Sequence, residues 1–130
     1  MLYKGVSVFA NVMETSVDEL YKKAEEAVEE LEQEASDSTE SGNARDLLEE
    51  LEDALEYGDE VICQNLLTRY KQEAEEAREA YREKFSELDR DERRAKGMLS
   101  NIYGLIISTL EAKLSHYENL NNIKAENKGE

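Results

Sequence analysis

The sequence contains no proline and no tryptophan, and its 130 residues include only six glycines, one cysteine and one histidine. Each shortage excludes something. Without proline, and with so little glycine, long helices meet almost no breaker, and the turns that short strands need are missing. A single cysteine, Cys63, allows no internal disulfide and fits a reducing compartment. With His116 as the only histidine, no zinc spacing exists, and the Glu-x-x-His pair of a helical di-iron site would need Glu where Lys113 stands. No Gly-rich phosphate loop and no Gly-x-Ser-x-Gly motif occurs, so neither a catalytic residue nor a cofactor is expected. The uncharged stretch Gly97 to Leu110 is too short to span a bilayer. The first residues carry one lysine and a broken apolar run, unlike a secretion signal, which points to a cytoplasmic address.

What is abundant is Ala, Leu, Glu, Lys and Arg, the composition of an all-α chain. At 100° per residue, Leu99, Tyr103, Ile106, Leu110, Leu114 and Tyr117 form one line of the uncharged stretch and its continuation, flanked by Ile102 and Ile107, with Met98 and Leu105 further round. That arc covers about half the circumference, wider than the ~100° stripe of a surface helix. At least two other helices must cover it, which makes this the central helix of a bundle. The opposite face, Ser100, Gly104, Ser108 and Ala112, is small at every fourth position and reads either as a solvent face or as a seam for a homo-oligomer.

In chain order, residues 1 to 14 read as strand by alternation or as helix by the series Leu2, Val6, Phe9, Met13, Val17. Helix is favoured because the series runs on without a phase break through Leu20, Tyr21, Ala24, Val28, Leu31 and Ala35. Ser16 with Glu19 is a capping-box pattern at which that helix could restart. Residues 36 to 43 read as a loop with Asn43 as the next N-cap. A short helix follows, with Ala44, Leu47, Leu48, Leu51, Ala54 and Leu55 on one face. Tyr57-Gly58-Asp59 offers a stop and a new cap. The third helix carries Ile62, Cys63, Leu66, Tyr70, Ala74, Ala77, Tyr81 and Leu88 as its stripe. The expected fold is an all-α four-helix bundle, or three long helices and one short one, in antiparallel hairpins. Residues 1–120 would form one helical domain, with an acidic hairpin at 16–57, helices at 59–88 and 91–120, and a frayed polar tail at 121–130.

The net charge of −16 is unevenly placed. Residues 16 to 60 hold eighteen acids against three bases, a net of −15, whereas residues 61 to 130 hold thirteen against twelve, a net of −1. Such a concentration is either a solvated face or a docking surface for a basic partner protein, and the second reading assigns partner binding to Asp18, Glu25, Glu26, Glu29, Glu30, Glu32, Glu49, Glu52, Asp53 and Glu56. The chain would then be a non-catalytic binding module, in its sharper form an inhibitor or nucleic-acid mimic that occupies a basic surface. Direct nucleic-acid binding is disfavoured, since Arg90, Arg93, Arg94 and Lys96 are diluted by Asp89, Asp91 and Glu92. A purely structural or oligomeric helical protein is a further alternative.

One enzyme reading stands beside these. Glu26-Ala27-Val28-Glu29 and Glu56-Tyr57-Gly58-Asp59 resemble the E-x-x-E and E-x-x-D pairs with which MazG-like all-α nucleotide pyrophosphohydrolases hold magnesium. Hard carboxylate oxygens suit Mg²⁺, i, i+3 spacing puts each pair on one helical face, and that resemblance implies a Mg-dependent nucleotide pyrophosphohydrolase.

Overall fold

The computed structural model describes the backbone of residues 2–128 and the side chains of residues 16–120. Four helices follow one another: α1 (Leu2–Glu34), α2 (Thr39–Tyr57), α3 (Glu60–Lys84) and α4 (Arg90–Lys128), with one 3-10 turn at Phe85–Glu87; no strand occurs among the described residues. The fold is an all-α helical bundle of three long helices and a short one. The ambiguity over residues 1 to 14 resolves to helix from Leu2 onward, unbroken at Ser16.

The helix ends show why the chain turns where it does. Ser38, not Asn43, caps α2: its Oγ accepts from the Ser41 amide at 3.1 Å and donates to the Ala35 carbonyl at 2.6 Å. The expected loop at 36–43 therefore shrinks to four residues, and Gly42 and Asn43 become helical. A serine cap followed by the buried Ser41 satisfies the first-turn amides earlier in the chain than Gly-Asn could. Gly58 ends α2, its amide donating to Ala54 O at 3.0 Å. Any Cβ at Gly58 would lie 2.6 Å from that same carbonyl oxygen, so the close approach requires glycine. Asp59 then caps α3 through the Ile62 amide at 2.9 Å, and Asp89 caps α4 through the Glu92 amide at 2.8 Å. The third helix stops at Lys84, short of the expected residue 88, and α4 continues to Lys128 where a frayed tail is expected; residues 129 and 130 lie outside the described residues.

Cross-helix contacts fix the topology. Arg45 meets Glu32, and Tyr21 meets Glu52, so α1 and α2 are antiparallel. Lys96 reaches Glu40 at 3.0 Å and the Tyr117 hydroxyl reaches Gly58 O at 3.4 Å, so α2 runs parallel to α4. Tyr103 faces Glu73, and Arg93 donates to the Phe85 carbonyl at 3.0 Å, which sets α3 antiparallel to α4. α4 packs against all three other helices, most extensively against α1. It is the central helix that its wide apolar arc requires.

Its buried line is Ala95, Ile102, Ile106, Thr109, Leu110 and His116. The expected centre, Leu99, Tyr103, Leu114 and Tyr117, is only partly buried, because the large contact with α1 rotates the arc toward Ile102 and Thr109. Thr109 is tolerated in the core because its hydroxyl donates to Leu105 O at 2.7 Å. Opposite lie Ala24, Val28 and Leu31 of α1, Leu48 and Leu51 of α2, and Cys63, Leu67 and Tyr70 of α3. Cys63 is a buried thiol near Ala54 O at 3.7 Å, and burial raises its pKa. Two expected members of the α3 stripe are corrected: Ile62 is 49% exposed and Ala77 is exposed. Ile62 sits in the first turn of α3 at the hairpin corner, beside only the last turn of α2 at Ala54 and Gly58, and α2 and α3 diverge before Ala77.

Candidate functional site

Two acidic rows leave α1 on opposite sides of its buried stripe: Glu30 and Glu34 face α4, where Arg94 and Asp91 stand, and the other row faces α2. Tyr21, Glu25 and Glu32 lie toward α2, with Glu29 just outside them. Because α2 runs antiparallel, Arg45, Glu49 and Glu52 face them from the other side. The Arg45 guanidinium donates through Nε to Glu32 Oε2 at 3.1 Å and closes a second, shorter bond to Oε1. That hydrogen bond holds the Glu32 carboxyl below its ordinary pKa and Arg45 above its own; the charges of Glu49 and Glu29 also act on Arg45. The Tyr21 phenol is pushed up to about 12, first by burial and then by the charges of Glu52 and Glu25. Along the α1–α2 seam Glu29, Glu32 and Glu49 thus surround Arg45, and Glu25 and Glu52 flank Tyr21.

Four first-hairpin acids are matched by cations, three of them reaching over from α3 and α4. Glu32 pairs with Arg45, Glu34 with Arg94 at 2.8 Å, Glu40 with Lys96 at 3.0 Å, and Glu50 with Arg69 and the Tyr70 hydroxyl. Glu25, Glu29, Glu49 and Glu52 take part in no ion pair among the described residues. These four pairs leave most acids of the first hairpin without a cation, and Glu25, Glu29, Glu49 and Glu52 are the ones that the seam gathers from two helices.

Of the ten acids expected to bind a partner, the structure brings together Glu25, Glu29, Glu32, Glu49 and Glu52. Helical spacing puts Asp18 and Glu56 at the seam's far end. Glu26 lies on the solvent face of α1 opposite its buried stripe, Glu30 lies further round where it acts on Arg94, and Asp53 lines the α2–α3 side with Glu50, Ile62 and Arg69. Next to the acids are large apolar side chains that periodicity did not mark: Tyr57 is 82% exposed and Val61 64% exposed at the α2–α3 turn, beside the half-exposed Ile62. The signal for them was the turn itself, since residues at a hairpin corner have no third helix to cover them.

The carboxylate pairs of the magnesium reading do not converge. Glu26 and Glu29 are neighbours on the exposed side of α1, with Glu26 further from α2, Asp59 is engaged as the α3 cap, and Glu56 lies about one turn past Glu52, which is itself opposite Tyr21. Among the described residues no group of three acids, histidines or cysteines is placed to hold a metal. Ser100, Gly104 and Ser108 are exposed, with open space where a Gly104 Cβ would stand. No helix among the described residues is long and apolar enough to cross a membrane. The class of protein defined here is an acidic all-α helical bundle. Comparison with family models, curated proteins and solved structures finds no match.

Proposed function

We propose that this chain is a non-catalytic protein-binding module that holds a basic partner surface against the α1–α2 seam, with a cytoplasmic address. The observation that carries the reading is the seam itself, five carboxylates gathered from two helices along Tyr21 and Arg45. From Tyr21 to Glu32 the seam is about 16 Å long at 1.5 Å rise per residue, so five carboxylates set against Arg45 and Lys22 leave a net charge of about −3, one charge per ~5 Å. One strand of a nucleic acid carries one per ~3.4 Å. A surface that complements the seam is of the kind that takes a phosphate backbone, and occupying it would inhibit such a partner. Repulsion among these acids works against the fold, and a basic partner relieves it. The exposed Tyr57, Val61 and Ile62 supply the apolar anchors that charge alone lacks.

The test is affinity capture at stepped salt with three baits: the natural chain, the quadruple variant Glu25→Lys, Glu29→Lys, Glu49→Lys, Glu52→Lys, and a control with Glu75→Lys, Glu79→Lys, Glu83→Lys on α3. Glu32 is left in place because it anchors Arg45. A specific partner should elute as salt rises, be lost with the seam variant and be kept by the control. Retention by all three baits sinks the proposal.

A further inference from the structure

Beyond the seam, the second half of α3 and the first half of α4 enclose a hollow of about 450 Å³ whose chemistry is opposite to that of the chain around it. It is lined by Ala74, Ala77, Ala80 and Tyr81 from α3 and by Gly97, Leu99, Ser100 and Tyr103 from α4, with Arg78, Arg82 and Lys96 as its only charged lining residues. None of the eleven is acidic, in a chain where 32 of 130 residues are Asp or Glu. Three other recesses all contain carboxylates: Glu50 and Asp53 in one, Glu34, Asp37, Glu40, Asp91 and Glu92 in the second, Asp46, Glu50 and Glu73 in the third.

The hollow has a structural cause. The α3 stripe that buries Cys63, Leu66 and Tyr70 continues as Ala74, Ala77 and Tyr81, but α2 has diverged by then and the alanines are too small to reach α4. This is core without its filling. An aromatic pair stands at each end. At the corner, Tyr81 meets Phe85 edge-on at 5.4 Å, and the Arg93 guanidinium lies 4.1 Å over the Phe85 ring. At the other end, Tyr103 meets Tyr70 at 6.5 Å and turns its hydroxyl to Glu73.

We propose that this hollow binds a small anionic amphiphile, an alkyl chain with one carboxylate. The chain fills the apolar volume between the helices, and the carboxylate accepts charge-assisted hydrogen bonds from Arg82 and Arg78. Arg82 has no ion pair among the described residues, and Arg78 has only an exposed contact to Glu75 at 3.6 Å, so both guanidinium groups can turn to a ligand; Lys96 is held by Glu40. The size selects a small molecule over a protein: the volume falls within the roughly 300–1,000 Å³ of ligand pockets, while eleven lining residues fall short of the roughly twenty to thirty a side in a stable protein interface.

The test is calorimetric titration of the full chain with sodium dodecanoate below its micelle concentration, beside dodecyltrimethylammonium as the probe of opposite charge. Dodecanoate should bind saturably at one site and the cation at least about tenfold more weakly. Arg78→Gln with Arg82→Gln should cut dodecanoate affinity at least about tenfold, the loss of one or more charge-assisted hydrogen bonds. Ala77→Phe, at an exposed helix position checked for folding by circular dichroism, should fill the hollow and abolish binding. Failure of dodecanoate to saturate, equal binding of the cation, or affinity unchanged in the double arginine variant or in Ala77→Phe overturns the proposal.

Discussion

Replacing Ile106 and Ile62 by alanine separates the core that exists from the one that periodicity alone suggests. Both are isoleucines on long helices, and both lie on an apolar stripe, so a reading from spacing assigns them similar costs. In the structure Ile106 is fully buried against α4's neighbours, while Ile62 is 49% exposed in the first turn of α3. Truncating Ile106 removes a fully buried side chain and leaves a cavity that a close-packed interior only partly closes, for a cost of about 2–5 kcal/mol. Truncating Ile62 loses roughly half the transfer energy of a side chain and leaves no cavity, and alanine is the better helix former, so the cost should be about 1 kcal/mol or less. Urea unfolding followed by circular dichroism reads both; at about 4 °C per kcal/mol for a chain of this size, melting separates them too. An Ile62→Ala penalty equal to that of Ile106→Ala, or an Ile106→Ala penalty under about 1 kcal/mol, would refute the packing described here.

Ser38→Ala should cost about 1 kcal/mol in urea unfolding and Asn43→Ala almost nothing, because Ser38 holds the start of α2 and Asn43 lies inside it. Alkaline titration followed by ultraviolet absorbance should show Tyr21 ionising near 12 and Tyr70 well above its ordinary range, the latter through burial first and its hydrogen bond to Glu50 second. Since both phenols are raised in the folded state, their contribution to stability is complete below about pH 10 and declines as pH rises toward 12. Magnesium at millimolar level should raise the melting temperature no more than sodium at matched ionic strength, because the carboxylate pairs do not converge; an excess that Glu56→Gln removes would restore the hydrolase reading.

The central helix was legible because an uncharged run in so charged a chain has one explanation, burial on several sides. The turn Tyr57-Gly58-Asp59 was legible because stop and cap each have a local mechanism, seen in the Gly58 and Asp59 hydrogen bonds. The first turn of α2 was not: Ser38 and Asn43 are both good caps, and the choice rests on a serine cluster whose hydrogen bonds reach back to Ala35 and Ser36. Nor was the rotation of the α4 arc, which depends on how much surface α1 offers, a tertiary quantity. Charge counting located the acidic hairpin, but counting along a chain cannot tell Glu25 and Glu29, left unmatched on the seam, from Glu34 and Glu40, matched by Arg94 and Lys96 from a helix some sixty residues away. Exposed Tyr57 and Val61 escaped notice for a similar reason, since exposure at a hairpin corner depends on which helix ends first.

The central claim is that the unmatched seam acids bind a basic surface. Its most direct measurement is the dissociation constant of a captured partner for the natural chain, for the reversal of Glu25, Glu29, Glu49 and Glu52 to lysine, and for the α3 reversal, at two salt concentrations and with duplex DNA as competitor. Close charge pairs across an interface couple by about 1.5 kcal/mol or more each, so the seam reversal should weaken binding at least ~100-fold while the α3 reversal stays within about threefold. Affinity should fall steeply with salt, and DNA should compete when the partner surface also takes phosphates. Equal losses from both reversals, or no loss from the seam reversal, would contradict the account.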